Sequence, residues 1–123
     1  MIEILCLKIR ELVEEATGLK VEKRSENNAS NYANEMYAYT TTLHFGISKF
    51  TSAKYLRYYG KTAGSRFNID HSYRRSQDTI KYDETFKTTV QYICNILDNA
   101  IFSINANQVR IREELEEKLK GAI

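Results

Sequence analysis

Asp70, His71 and Ser72 run directly into Tyr73 and the arginine pair Arg74-Arg75, within the stretch IDHSYRRSQDTI at 69–80. These are hydrogen-bonding types that a helix can present to the edges of base pairs. An arginine fork matches the two acceptors of guanine, and a hydroxyl can serve several bases. His71, Ser72, Arg74 and Arg75 are therefore the candidate base contacts. Upstream, Lys54, Arg57, Lys61 and Arg66 carry charges that suit phosphates, contacts that set register without reading sequence. Other chemistry is poorly served. His71 and Ser72 are adjacent, neighbours on a helix point in different directions, and Gly-x-Ser-x-Gly is missing. GKT at 60–62 echoes the end of a phosphate loop, but Tyr55 stands where the first glycine must be. Glu113-Glu114 and Glu116-Glu117 fall on a charged helix face. No enzyme is expected, and no catalytic residue. With His44 and His71 the only histidines and no Cys-x-x-Cys pair, no metal or other cofactor is expected either.

Charge is distributed unevenly. Residues 49–81 hold eight basic residues against Asp70 and Asp78, a net of +6, whereas 1–48 and 82–123 each hold five basic and seven acidic residues, a net of −2. A basic centre between mildly acidic flanks fits an anionic partner. Double-stranded DNA is the leading candidate. The alternative is an acidic protein surface, docked by a helical interaction module or inhibitor.

The elements that must position these residues are helical. At 123 residues the chain suits one domain with one core. It has no proline and only five glycines, too few for the turns of sandwiches and barrels. Cys6 and Cys94 fall inside apolar periodic segments, as small buried hydrophobes rather than disulfide partners. The opening MIEILCLKIREL carries charges every few residues, unlike a leader peptide or a membrane span. A cytoplasmic protein that does not engage membrane is expected.

Ile2, Leu5, Ile9, Leu12, Val13 and Ala16 recur at helical spacing, and Thr17-Gly18 ends that helix. A second helix runs from about Ser30 to Gly46, with Ala33, Met36, Tyr37, Thr40, Leu43 and His44 inward. Thr51 or Ser52 caps a short third helix ending near Gly60. Residues 60–69 read as a loop, Asp70 as the cap of a fourth helix over 71–81, and Asp83 as the start of a fifth. Phe86, Val90, Ile93, Cys94, Leu97 and Ile101 form its stripe. After SINANQ at 103–108 a separate final helix shows Ile104, Ile111, Leu115 and Leu119 among charged residues. That stripe is narrow enough to serve as a homodimer seam or to dock on the domain. The expected core gathers Leu12, Met36, Leu43, Leu56, Phe86, Val90 and Ile93.

A short helix, a connection and a polar, basic helix form a helix-turn-helix-like centre, in which the second helix enters the major groove. The order of elements resembles the C-terminal DNA-binding domain of the bacterial replication initiator DnaA, a Trp-repressor-like helical domain. The segments that carry the resemblance are TGLKVEKRSENN at 17–28, YANEMYAYTTTL at 32–43, SAKYLRYYGK at 52–61, IDHSYRRSQDTI at 69–80 and DETF at 83–86. The overlap covers roughly residues 4–97, and Asp70-His71-Ser72 match literally within the family's recognition-helix signature, Arg-Asp-His-Ser/Thr-Thr-Val. Ile69 replaces its arginine, Tyr73 its second hydroxyl residue, and the connection before Asp70 is longer. The resemblance implies that His71 and Ser72 face bases and that Asp70 caps or braces the recognition helix. The expectation is an all-α protein of five to six helices. Residues 1–102 form its single domain and 103–123 a charged C-terminal helix. It serves without catalysis as a replication or transcription accessory factor of a bacterium or mobile element.

Overall fold

The computed structural model describes residues 2–22, 28–56 and 66–121. These form helices α1 (Ile2–Thr17), α2 (Asn28–Ala38), α3 (Lys49–Ala53), α4 (Arg66–Tyr82) and α5 (Glu84–Gly121), with a π-helical segment Tyr39–His44 continuing α2. No strand occurs among the described residues, so the fold is all-α. None of the described helices is long and apolar enough to cross a membrane.

α1 turns Cys6, Ile9 and Val13 inward, while Ile2 is 53% exposed and Ala16 exposed too, so the buried stripe is rotated towards Cys6 from the expected one. Leu12 is only half-buried. Gly18 takes the left-handed conformation, φ +70°, and donates its N–H to the Glu14 carbonyl at 2.9 Å, closing the helix. The chain is then pinned twice. Val21 N–H donates to a Glu14 carboxylate oxygen at 3.0 Å, and the Asn34 side-chain amide pairs with both backbone groups of Glu22 at 2.9 and 2.7 Å.

α2 buries Ala33, Met36, Tyr37 and Ala38. Beyond Ala38 the amides move from the fourth to the fifth preceding carbonyl, as in Phe45 N–H to Thr40 O at 3.2 Å. The cause is in the sequence. Buried Thr40 and Thr41 donate their hydroxyls to the Met36 and Tyr37 carbonyls at 2.8 and 3.0 Å, competing with the helical ladder there. A wider turn advances each residue by a smaller angle, so Leu43 falls off the inner face and is 48% exposed, against the expectation that it joins the core. His44, also expected inward, is exposed, with its ring edge-on to Phe45 at 4.6 Å. Gly46, φ +67°, then breaks the helix.

Ser48, not Thr51 or Ser52, caps α3, its hydroxyl accepting the Thr51 N–H at 3.2 Å. Ser52 and Ala53 are buried, and the Tyr37 hydroxyl donates to the Ser52 carbonyl at 2.6 Å, tying α2 to α3. α5 is capped as expected, with Asp83 Oδ1 accepting the Phe86 N–H at 3.0 Å. Phe86 is fully buried and meets Tyr32 and Tyr39 edge-on, with ring centroids 5.4 and 6.5 Å apart. Met36, Leu56, Phe86, Val90 and Ile93 of the expected core are buried.

Three expectations about helix ends are corrected. α3 ends at Ala53, with a turn at 54–56, rather than near Gly60. α4 begins at Arg66, so residues 66–69 are helix rather than loop and Asp70 lies inside the helix rather than capping it. The break expected at 103–108 does not occur: α5 runs without interruption for 38 residues, and the tail is its second half, not a separate helix. Residues 1–93 form one compact unit and 94–123 a second, which holds α5 from Cys94 onward.

Candidate nucleic-acid interface

α4 is held by its inner face. Ile69 and Ser76 are buried seven residues apart, two turns along the same side, and the Ser76 hydroxyl donates to the Tyr73 carbonyl at 2.6 Å. Two carboxylates then clamp the helix. Glu35 of α2, with its side chain 8% exposed, bonds Arg75 Nε at 3.3 Å and receives the Thr79 hydroxyl at 3.0 Å. Asp70 accepts from Lys49 of α3 and, one turn on, from Arg74 Nη2 at 3.2 Å. Lys49 also lies over the Tyr73 ring, 4.9 Å from its centroid. Asp70 thus braces α4 against α3.

The opposite face is a single stripe. His71, Arg74, Arg75, Asp78 and Lys81 are exposed and recur every three or four residues. Arg74 and Arg75 retain 76% and 59% of their side-chain exposure despite their ion pairs. Arg75 meets Glu35 through Nε, the innermost nitrogen of its fork. Each arginine is anchored at one nitrogen while the rest of its guanidinium remains at the surface.

The fold brings His71, Arg74 and Arg75 onto one surface. Ser72 is not on it: it lies half-buried on the flank of α4. Lys54 is exposed just after α3, its ammonium 4.8 Å from the Phe50 ring centroid. Arg57 and Lys61 lie outside the described residues, as does the side chain of Arg66, which opens α4. The +6 of the central segment is partly compensated where it can be described, since Asp70 holds Lys49 and Arg74, and Glu35 holds Arg75.

The chain matches no family model, no curated protein and no solved structure.

Sequence reasoning passed over Lys49, Glu35 and Lys81. Glu35 left a signal, because it is the only Asp, Glu, Lys or Arg between residues 28 and 44. A lone charge in an otherwise uncharged helix that buries most of its surface needs a partner from elsewhere. Among the described residues no group of three or more His, Cys, Asp or Glu side chains is placed to hold a metal ion.

Proposed function

We propose that this chain is a non-catalytic, cytoplasmic protein that binds double-stranded DNA, laying the outward stripe of α4 along the major groove. In this reading it is a divergent relative of the DnaA C-terminal domain, of helix-turn-helix type, and a replication or transcription accessory factor. The observation that carries the reading is the pair Arg74 and Arg75, each anchored by a carboxylate at one nitrogen and otherwise exposed on one helix face. Anchoring lowers the entropy lost when a long side chain is fixed on a partner, and arginine is the side chain that reads guanine bidentately. His71 shares that face, Ser72 contributes from its flank, and Lys54, Arg57, Lys61 and Arg66 meet phosphates.

The experiment is a titration against random duplex DNA, single-stranded DNA and an acidic protein, at low and moderate salt. Four phosphate contacts give a log–log salt slope of about −3.6, a loss of affinity of about 150-fold between roughly 50 and 200 mM salt. Lys54→Ala should reduce that slope by about one unit on every sequence, whereas Arg74→Ala should narrow the gap between preferred and random sites. Absence of salt-sensitive affinity for any nucleic acid, together with binding to the acidic protein, replaces this reading with protein docking.

A further inference from the structure

The outward stripe of α4 holds one acid, Asp78, among its bases. Asp78 follows buried Ile69 by about two and a half turns of helix, so it points straight away from the packed face. Viewed down the axis it falls between the two arginines, about 40° from Arg74 and about 60° from Arg75. Both stand at the spacing that pairs a cation with an aspartate on an exposed helix face. Instead they are drawn backwards, to Asp70 and Glu35, and Asp78 takes no ion pair among the described residues. Its carboxylate is left as an open acceptor at the centre of a basic face.

We infer that Asp78 reads a cytosine, accepting its N4 amino group in the major groove close to a guanine taken by one of the arginines. The assignment rests on α4 being the groove-facing helix, and it adds the base that the acid selects. A carboxylate at the centre of that face enters the negative field of the phosphates, so only a donor on a base offsets its desolvation there. The major groove offers two such donors, adenine N6 and cytosine N4. Adenine N6 stands beside N7, an acceptor that repels a carboxylate, and guanine and thymine present acceptors of their own. Cytosine shows the donor alone. Along the helix axis Asp78 lies about 6 Å beyond Arg74 and about 4.5 Å beyond Arg75, against about 3.4 Å per base pair. The cytosine therefore falls about one or two base pairs from the guanine.

The test is binding of the full chain to a randomised duplex library, with sequencing of the bound fraction, then titration of single duplexes at low and moderate salt. Wild type should select cytosine at one position close to a selected guanine. Asp78→Ala should lower the preference at that position by about tenfold, yet bind random duplex more tightly because a repelled charge is gone. Asp78→Asn should move the preference there from cytosine to adenine, since its amide matches adenine N6 and N7 together. Removing an aspartate that only faces solvent would also raise affinity for random duplex, but would leave every base preference in place. Asp78 is exposed, so both variants should keep their helical circular dichroism and cooperative unfolding. Salt-sensitive duplex binding with no cytosine preference, or with base preferences that neither variant changes, would overturn the assignment of Asp78 alone. No salt-sensitive affinity of wild type for duplex DNA would remove the groove-facing helix, and the role of Asp78 with it.

Discussion

Replacing Arg75 with alanine removes the exposed end of an ion pair whose other end is buried, and the two ends should not be equivalent. Arg75 is 59% exposed and Glu35 only 8%. The attraction itself is screened by water on the arginine side and is worth about 1 kcal/mol or less. The larger cost of Arg75→Ala is a buried carboxylate left with the Thr79 hydroxyl, whose single hydrogen is already shared with the Arg75 carbonyl at 3.1 Å. An under-satisfied buried charge brings the loss to about 2–3 kcal/mol. Glu35→Gln keeps the shape and an acceptor for Thr79 and releases Arg75 into water, so it should cost about 1 kcal/mol or less. The double variant should then be more stable than Arg75→Ala alone by about 1–2 kcal/mol, a rise of roughly 3–10 °C in Tm for a domain of this size. Urea unfolding followed by circular dichroism gives all four corners of the cycle. A double variant less stable than Arg75→Ala would refute the reasoning, showing that the carboxylate is not the costly partner.

Asp83→Ala should remove the side-chain acceptor of the Phe86 N–H and cost about 1 kcal/mol in the same unfolding assay, with the denaturant slope unchanged. Alkaline conditions should act through buried thiols and a buried phenol. Burial, with Asp98 adding to it, pushes Cys94 up to about 11, and burial also raises Cys6, against the side-chain contact with Tyr37 that lowers it. Burial and the neighbouring Cys6 likewise raise Tyr37 far above the usual phenol range. Acids with raised values keep their protons longer in the folded chain, so their contribution is whole below the ordinary thiol value and fades as pH climbs through the folded ones. Stability should fall between about pH 9 and 11, and Cys94→Ala should flatten part of that fall. Thiol reagents at neutral pH should label Cys6 and Cys94 slowly until denaturant is added.

The helices that could be read from the sequence are those with a conventional signal at each end. α5 starts where an aspartate precedes Phe86 by three residues, and α1 stops at Gly18, the one residue type that takes φ +70° without strain. Asp70 misled because capping preference alone cannot tell a cap from an aspartate inside a helix. Here Ile69 is buried in the preceding turn, and the helix continues upstream to Arg66. SINANQ at 103–108 misled similarly: serine and asparagine favour turns, but no glycine or proline interrupts the ladder, and it runs on. The candidate base contacts were legible as residue types, and helical spacing put His71, Arg74 and Arg75 together. The carboxylates that hold the two arginines were not, because Glu35 reaches Arg75 from forty residues away and Asp70 was assigned to a helix end.

The π-helical segment behaves as one surplus residue stored in the middle of a long helix. Deleting Thr42, which lies between the two buried threonines and Leu43, would remove that surplus. The amides after Ala38 could then return to their fourth carbonyl, and the chain downstream would lose one step of phase. Leu43 would rotate back among the apolar residues, at the cost of turning Gly46 and Ser48 away from the positions that start α3. Length variation at this point would therefore re-aim α3, and with it the lysine that Asp70 holds, without altering a single residue of α4.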